Sequence, residues 1–301
     1  MPTPSRTSRR PSPGPIAAAP LVAALMLACT DAGAPPEPAG ALAAVASATT
    51  GEHRQYGAPI QVGEGRARTY VVLDAKRGNA PVEVGVALDE RALDGLPAPM
   101  PGHEPGGHAD THEYLLPMPA LNSTCYQFVE LDWNPAGHDP ESIYDKPHFD
   151  FHFYTISLAE RNAIDPAVDP AFQQKAANLP PDGVMPPFYF TPLPAVAVPR
   201  MGVHWLDVRS PELPPALEPF TTTFILGSWD GRTIFDEPMI TRAHLLAKRT
   251  ATDPAVRDQV IPLPTAERVV VAGWYPSAYR ITWDEQAREY RIALTRLAWR
   301  D

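Results

Sequence analysis

The 301-residue chain carries 25 basic and 35 acidic residues, a net charge of −10, and a surface that acidic argues against nucleic acid and against a polybasic membrane footprint. Its cysteines are Cys29 and Cys125; with Cys29 committed to a lipid, as argued below, no intramolecular disulfide remains and the fold rests on its core or on metal. The 38 prolines disfavour long helices and favour short strands joined by extended loops.

At the N-terminus, Arg6, Arg9 and Arg10 precede any acidic residue, and an apolar run from Ile16 to Ala28 follows. That is a signal-peptide pattern, too short for a membrane span. The run ends Leu25-Met26-Leu27-Ala28-Cys29, which resembles the lipobox of bacterial lipoproteins, with Met26 where leucine is more usual. Residues 1–28 are therefore read as a signal peptide and Cys29 as a lipidation site. The alternative is an ordinary secretory signal that happens to contain a cysteine. The Ala/Pro-rich residues that follow, to residue 54, bury too little apolar surface to offset their ordering entropy and are expected to form a flexible tether. The expected location is the bacterial cell envelope, on the outside of the inner membrane or at the outer membrane, with the membrane as partner through the anchor.

A main domain is expected over residues 55–248. Arg68–Asp74 and Val82–Leu88 flank a Gly78-Asn79 turn and alternate as a hairpin with one buried face. Asp89–Leu96 is predicted as a short helix stopped by Pro97, and a Pro/Gly/His loop follows. Tyr126–Trp133 and His148–Ile156 are the next strands. Ser157-Leu158-Ala159-Glu160 spells a capping box, so a short helix runs to Ile164. Residues 165–200 read as proline-punctuated loop with one strand near Phe188–Thr191. Val203–Val208, Thr222–Trp229 and Thr233–Asp236 are strands, the last two joined at Asp230-Gly231, and Thr241 caps a helix to Arg249. Residues 249–301 read as a C-terminal β-meander that extends the main sheet or packs beside it. Its strands are Arg268–Tyr275, Tyr279–Trp283 and Tyr290–Leu297, with Tyr279, Ile281 and Trp283 opposite Tyr290, Ile292 and Leu294. The fold class is mainly β, a single sandwich or barrel-like domain with two or three short helices.

Chemistry concentrates in Pro147-His148-Phe149-Asp150-Phe151-His152-Phe153-Tyr154. On a strand, Phe149, Phe151 and Phe153 share one face and must be core, while His148, Asp150, His152 and Tyr154 share the other. Titratable groups in register are costly to bury unpaired, so they need either an ion or mutual hydrogen bonds. A divalent metal, zinc or similar, would take ligands from His148, Asp150, His152 and His204, with His138, Asp139 and Glu237 as further or supporting groups. At about 3.3 Å per residue His148 and His152 lie about 13 Å apart at Cα, so both reach one ion only at full stretch or across a bulge. The competing reading is a structural network in which the histidines bond carboxylates such as Asp139 and Asp145. His103-Glu104 with His108 mimics a zincin motif, but the spacing is one residue too long and Pro105-Gly106-Gly107 cannot be helical.

Gly137–Ser157, Met201–Asp207 with Ser210-Pro211-Glu212, and Phe224–Thr241 resemble a family of exported bacterial proteins catalogued as a domain of unknown function. The resemblance covers roughly residues 58–247 and implies export and domain limits, not a reaction. Two functional readings stay open. One is a binding or assembly module, with a homo-oligomer and an unidentified small-molecule ligand as its candidate partners; the other is a cupin-like metal-dependent enzyme on a small molecule. Convergence of His204 with the His148 face around an open cavity would favour the enzyme. In the enzyme reading His148, His152 and His204 hold the ion and Glu237 or Asp150 acts as base.

Overall fold

Runs of β-branched and aromatic residues at alternate positions, broken by Pro, Gly and Asp, dictate short strands throughout the chain. The computed structural model describes residues 51–100, 110–191 and 197–301, together with the backbone of Val45–Ala46. The segment read as a signal peptide, Cys29, most of the stretch read as tether, and residues 103–108 lie outside the described residues.

In chain order the elements are β1 (Val45–Ala46), β2 (Glu52–Tyr56), β3 (Ile60–Val62), β4 (Gly65–Asp74) and β5 (Ala80–Asp89). Then come β6 (His112–Pro117), β7 (Phe128–Asn134), β8 (His148–Tyr154), α1 (Leu158–Asn162), α2 (Phe172–Ala177) and β9 (Tyr189–Phe190). β10 (Val203–Asp207), β11 (Thr222–Trp229), β12 (Arg232–Thr241), α3 (Arg242–Thr250) and α4 (Pro254–Arg257) follow. The chain closes with β13 (Asp258–Pro262), β14 (Gly273–Tyr275), β15 (Ala278–Asp284), β16 (Glu289–Thr295) and β17 (Ala298–Arg300).

The strands form two open antiparallel sheets and a small β14–β17 ribbon. The first sheet runs β1-β2-β4-β5-β16-β15-β13, with β3 also on β4, and the second runs β6-β7-β8-β12-β11-β10-β9. One continuous core joins them: Val71, Val84, Val86, Ile281 and Ile292 of the first sheet pack with Leu131, Phe149, Phe151, Phe153 and Leu226 of the second. The architecture is an open, sandwich-like arrangement of mainly β structure, not a closed barrel. No helix of the described residues is long and apolar enough to cross a membrane.

The C-terminal strands are integral to the first sheet, with β16 between β5 and β15. Their register sets Tyr279 opposite Leu294, Ile281 opposite Ile292 and Trp283 opposite Tyr290, the pairing that alternation demands. At the other end, Val45 and Ala46 pair with Arg54 and His53, so strand structure begins inside the stretch read as tether.

Several local expectations fail. Residues 165–200, read as loop with one strand, also form α2, and the described residues hold four α-helices where two or three were expected. Asp89–Leu96 forms turns, not a helix, because the Asp89 carboxylate accepts from the backbone N–H groups of Arg66 and Arg91 and fixes a turn. Arg268–Tyr275 yields only the three residues of β14, since the Arg268 N–H donates to the Gly183 carbonyl and leaves the ladder. β12 continues through Pro238 to Thr241, where Pro238 sits opposite Phe224 of β11.

Candidate metal centres on the outer face of the second sheet

Two neighbouring strands of the second sheet alternate the same way. β7 reads Phe-Val-Glu-Leu-Asp-Trp-Asn and β8 reads His-Phe-Asp-Phe-His-Phe-Tyr, and every residue of both is buried. Val129, Leu131 and Trp133 of β7 and Phe149, Phe151 and Phe153 of β8 face the inter-sheet core. Cross-strand register places Glu130 opposite His152, Asp132 opposite Asp150 and Asn134 opposite His148 on the outer face. β12 adds Met239 opposite Asp150 and Phe235 opposite Tyr154, and the same register puts Glu237 beside His152.

This polar band is covered. On one side lies an apolar cluster of Phe128, Tyr154, Ile164, Phe172, Met201, Trp229 and Phe235. On the other lies a second cluster of Tyr144, Leu206, Leu213, Phe220, Ile225 and Met239. The β7–β8 connection folds back over the sheet to deliver His138, and Gly137 there has φ 78°, with a Cβ at that position falling 2.2 Å from the Tyr144 carbonyl oxygen. Only glycine fits that approach.

Three groups of donors result, and the third, Glu130, Asp132 and His152, shares His152 with the second. In the first, His138 Nε2 lies 3.2 Å from Asp150 Oδ2 and His148 Nε2 lies 3.1 Å from Asp150 Oδ1. Both rings use Nδ1 elsewhere: His138 Nδ1 is 2.7 Å from the Asp139 carbonyl and His148 Nδ1 is 2.6 Å from the Lys146 carbonyl. Asn134 donates its amide N–H to Asp150 Oδ2 at 2.6 Å and is itself held by the Thr111 hydroxyl. In the second cluster, His152 Nε2 lies 3.4 Å from Glu237 Oε1, and His204 Nε2 of β10 lies 4.0 Å from Glu237 Oε2. On its other side His152 Nδ1 is 3.6 Å from Asp132 Oδ2. Each group of three has ligand atoms close enough together to hold one metal ion.

The electrostatics are unbalanced. Glu130, Asp132, Asp150 and Glu237 are all buried on this face, and Arg161 of α1 pairs with Glu130. Burial, reinforced by the Glu130 and Asp150 charges, pushes the Asp132 carboxyl well above the usual carboxylate range. Burial raises Glu237 likewise, with Asp150 and Asp132 adding to the shift. Glu130 rises to about 7, because desolvation outweighs the Arg161 guanidinium. Asp150 differs: desolvation would raise it, but His148 and His138 hold it well below the usual range. For His138 the Asp150 charge overcomes desolvation and lifts the imidazole above its ordinary value. Among the described residues no donor hydrogen-bonds to either oxygen of Asp132, to Asp150 Oδ1 or to Glu237 Oε2.

The residues singled out in the sequence are thus gathered on one face but divided between two centres. His138 and His148 meet on Asp150, whereas His152 and His204 meet on Glu237. A single ion shared by His148, His152 and His204 does not exist in this geometry, because the strand is unbroken between residues 148 and 154. Asp139 contributes its backbone carbonyl while its residue is exposed, and Asp145 is exposed and no partner of these rings. The histidines face Asp150, Asp132 and Glu237 instead. Sequence reasoning missed Glu130, Asp132, Asn134 and Arg161. The alternation in β7 carried that signal for the first three, since acidic and amide groups at every second position of a strand with an apolar alternate face mirror β8.

A family described as TTHB210-like, hypothetical protein TTHB210, matches residues 77–133. No curated protein and no solved structure matches the chain. The matched stretch runs from the turn before β5 through most of β7; it takes in Glu130 and Asp132 and stops short of β8. Over that stretch the chain is similar to an uncharacterised family.

Proposed function

We propose that this chain is an exported, lipid-tethered binding module whose second sheet is pinned by a divalent metal held by His138, His148 and Asp150. The observation that carries the reading is the direction of the two rings. Each has Nδ1 on a backbone carbonyl and turns Nε2 to a separate oxygen of one buried carboxylate. An imidazole that donates from Nδ1 keeps a lone pair at Nε2. A lone pair facing a carboxylate oxygen at these distances is repulsive unless a proton or a cation sits between them. Nδ1–H bonded to a carbonyl is also the arrangement that orients a histidine metal ligand, and two imidazoles with one carboxylate suit zinc and similar ions.

The centre is closed. His138, His148 and Asp150 side chains are 9%, 0% and 1% exposed, which favours a structural ion over one that meets substrate. The divergence of His148 from His152 likewise favours a module over a cupin-like enzyme. The anchored reading rests on Arg6, Arg9, Arg10, the Ile16–Ala28 run and Cys29, and it places the domain in the cell envelope.

Elemental analysis and melting of the untagged mature chain, with and without chelator, test the metal. Bound zinc or a similar ion should fall in His148→Ala and Asp150→Asn, and chelator should lower the melting point of wild type but not of those variants. Chelator-insensitive melting together with less than about a tenth of a mole of metal per mole of protein would end the proposal. If the groups instead form a proton-bridged network, the same substitutions cost about 1–3 kcal/mol by orphaning a buried partner and chelator does nothing. For the anchor, Cys29→Ser should release the protein from washed membranes, since acyl chains contribute about 0.8 kcal/mol per buried methylene. Equal retention of the variant and wild type would refute lipidation.

A further inference from the structure

We infer that His152, His204 and Glu237 form a second, separate cation site, open on the His204 side, at which a bound divalent ion keeps one coordination position for a small exchangeable ligand such as water or an anion. This deepens the proposal that the outer face holds metal, but it stands on different residues.

The first support is geometric. Two donors about 2.0–2.1 Å from a tetrahedral ion lie about 3.3–3.4 Å from each other. His152 Nε2 and Glu237 Oε1 are 3.4 Å apart, and His204 Nε2 and Glu237 Oε2 are 4.0 Å apart. A modest rotation of His204, the most exposed of the three, closes the second gap. His204 reaches the site because its cross-strand partner is Gly227. A side chain there would begin 2.1 Å from the Phe235 ring, so glycine lets that ring pack against both imidazoles. Its centroid is 4.8 Å from His152 and 5.5 Å from His204.

Charge is the second support. Arg161 is committed to Glu130, and among the described residues no lysine or arginine lies within ion-pair distance of Asp132 or Glu237. Two buried carboxylates facing one imidazole are balanced by a dication. Asp132 also has a defined place in such a site. It flanks the Nδ1 edge of His152 with both oxygens outside any hydrogen bond. A His152 that gives Nε2 to the ion presents Nδ1–H to Asp132, the carboxylate–histidine–metal relay that fixes tautomer and ring orientation. Asp132 is therefore a positioning residue and not a ligand. Its orphan oxygens need such a donor, because leaving a buried carboxylate unsatisfied is costly.

Exposure separates this centre from the first. The His204 side chain is 22% exposed, while the ligands of the other centre are closed to solvent. Three protein donors leave a fourth tetrahedral position, and the only wet approach among these three residues is along His204. Such an open position marks a site that exchanges ligand.

Cobalt(II) is the probe, because its visible absorption reports coordination number and ligand exchange. Wild type should take up about two equivalents of cobalt, and His204→Ala and His148→Ala should each retain about one. Azide should change the spectrum of wild type and of His148→Ala, and leave that of His204→Ala unaltered. Asp132→Asn should keep both equivalents but weaken the second by about 10–100-fold. Retention of wild-type stoichiometry by His204→Ala, or a wild-type spectrum indifferent to azide, would overturn the open second site. Loss of one equivalent in His204→Ala with none lost in His148→Ala would instead sink the closed centre and leave this one standing. His204 is half-buried at a site with one wet side, so its alanine variant is expected to fold; the azide titration of wild type decides the matter if it does not.

Discussion

The two faces of the second sheet are made by alternate residues of β7 and β8, and they are equally buried. Phe149, Phe151 and Phe153 are 0% exposed, and His148, Asp150 and His152 are at most 1% exposed. Burial alone therefore does not distinguish core from site. The inner face is satisfied by any close packing of apolar volume. The outer face is satisfied only if each charge meets a partner of opposite charge or a proton in defined geometry. An inner residue is replaceable by something of like volume, whereas an outer one is not replaceable alone.

The sharpest break in that comparison is Phe151→Ala. It should cost about 3–5 kcal/mol through lost burial and a residual cavity, and the loss should be the same with or without chelator. A chelator-dependent loss would mean that the two faces are not separable. Next is the buried pair that closes the outer face. Arg161→Met leaves Glu130 without its guanidinium and should cost about 3 kcal/mol, whereas Arg161→Met combined with Glu130→Leu should recover most of that. Urea melts of the four variants give the coupling directly. A double variant no more stable than the worse single one would show that Glu130 is held by something other than Arg161.

How much of this was legible follows from the same contrast. The inner face could be read, because a period of two in Phe149, Phe151 and Phe153 and in Tyr279, Ile281 and Trp283 needs no knowledge of partners. The capping box at Ser157 and the Asp230-Gly231 turn were legible for the same local reason. Which histidine meets which carboxylate was not. That depends on register between strands far apart in sequence, on the β7–β8 connection that brings His138 over Asp150, and on Gly227 admitting Phe235. Arg161 could not be found at all from its surroundings, since a basic residue in the last turn of a short helix reads as solvent-facing. It is buried where its guanidinium meets Glu130 of β7.

Lys248 offers a buried charge with no carboxylate at ion-pair distance among the described residues, so desolvation, opposed only by the more distant Asp258 charge, dominates it. Its ammonium donates to the Val256 carbonyl and to Gln259 Oε1, and burial lowers its pKa to about 8. The unfolded value is about 10.4. Between those two pH values the unfolded chain holds the proton and the folded chain does not, so stability rises as pH climbs from about 8 to about 10. Below pH 8 both states are protonated and the penalty is present in full. Chemical denaturation across that window should show a gain of about 1–2 kcal/mol in wild type and a flatter profile in Lys248→Met. An identical slope in both would place the titrating group elsewhere.

The smallest expected effect joins the cap of α1 to the charge it carries. Ser157 accepts from the Glu160 N–H at 3.2 Å, and Glu160 Oε2 accepts from the Ser157 N–H at 2.9 Å. Those bonds from Ser157, helped by Arg232, bring the Glu160 carboxyl down to about 2. Ser157→Ala removes the cap and should cost about 1 kcal/mol. It should also let the Glu160 pKa climb towards the ordinary value, which is near 4.3. A lowered carboxylate stabilises the fold above its unfolded pKa, and this is lost as pH falls towards 2, so the variant's deficit should shrink in acid. Because α1 also presents Arg161 to Glu130, the cap and the ion pair share one short helix. Ser157→Ala should therefore cost less in an Arg161→Met, Glu130→Leu background than in wild type, by about 0.5 kcal/mol, the lower end of coupling between residues of one network. Strict additivity would mean that the helix terminus and the buried guanidinium are set independently, and that α1 is held over the polar band by its packing and not by its charge.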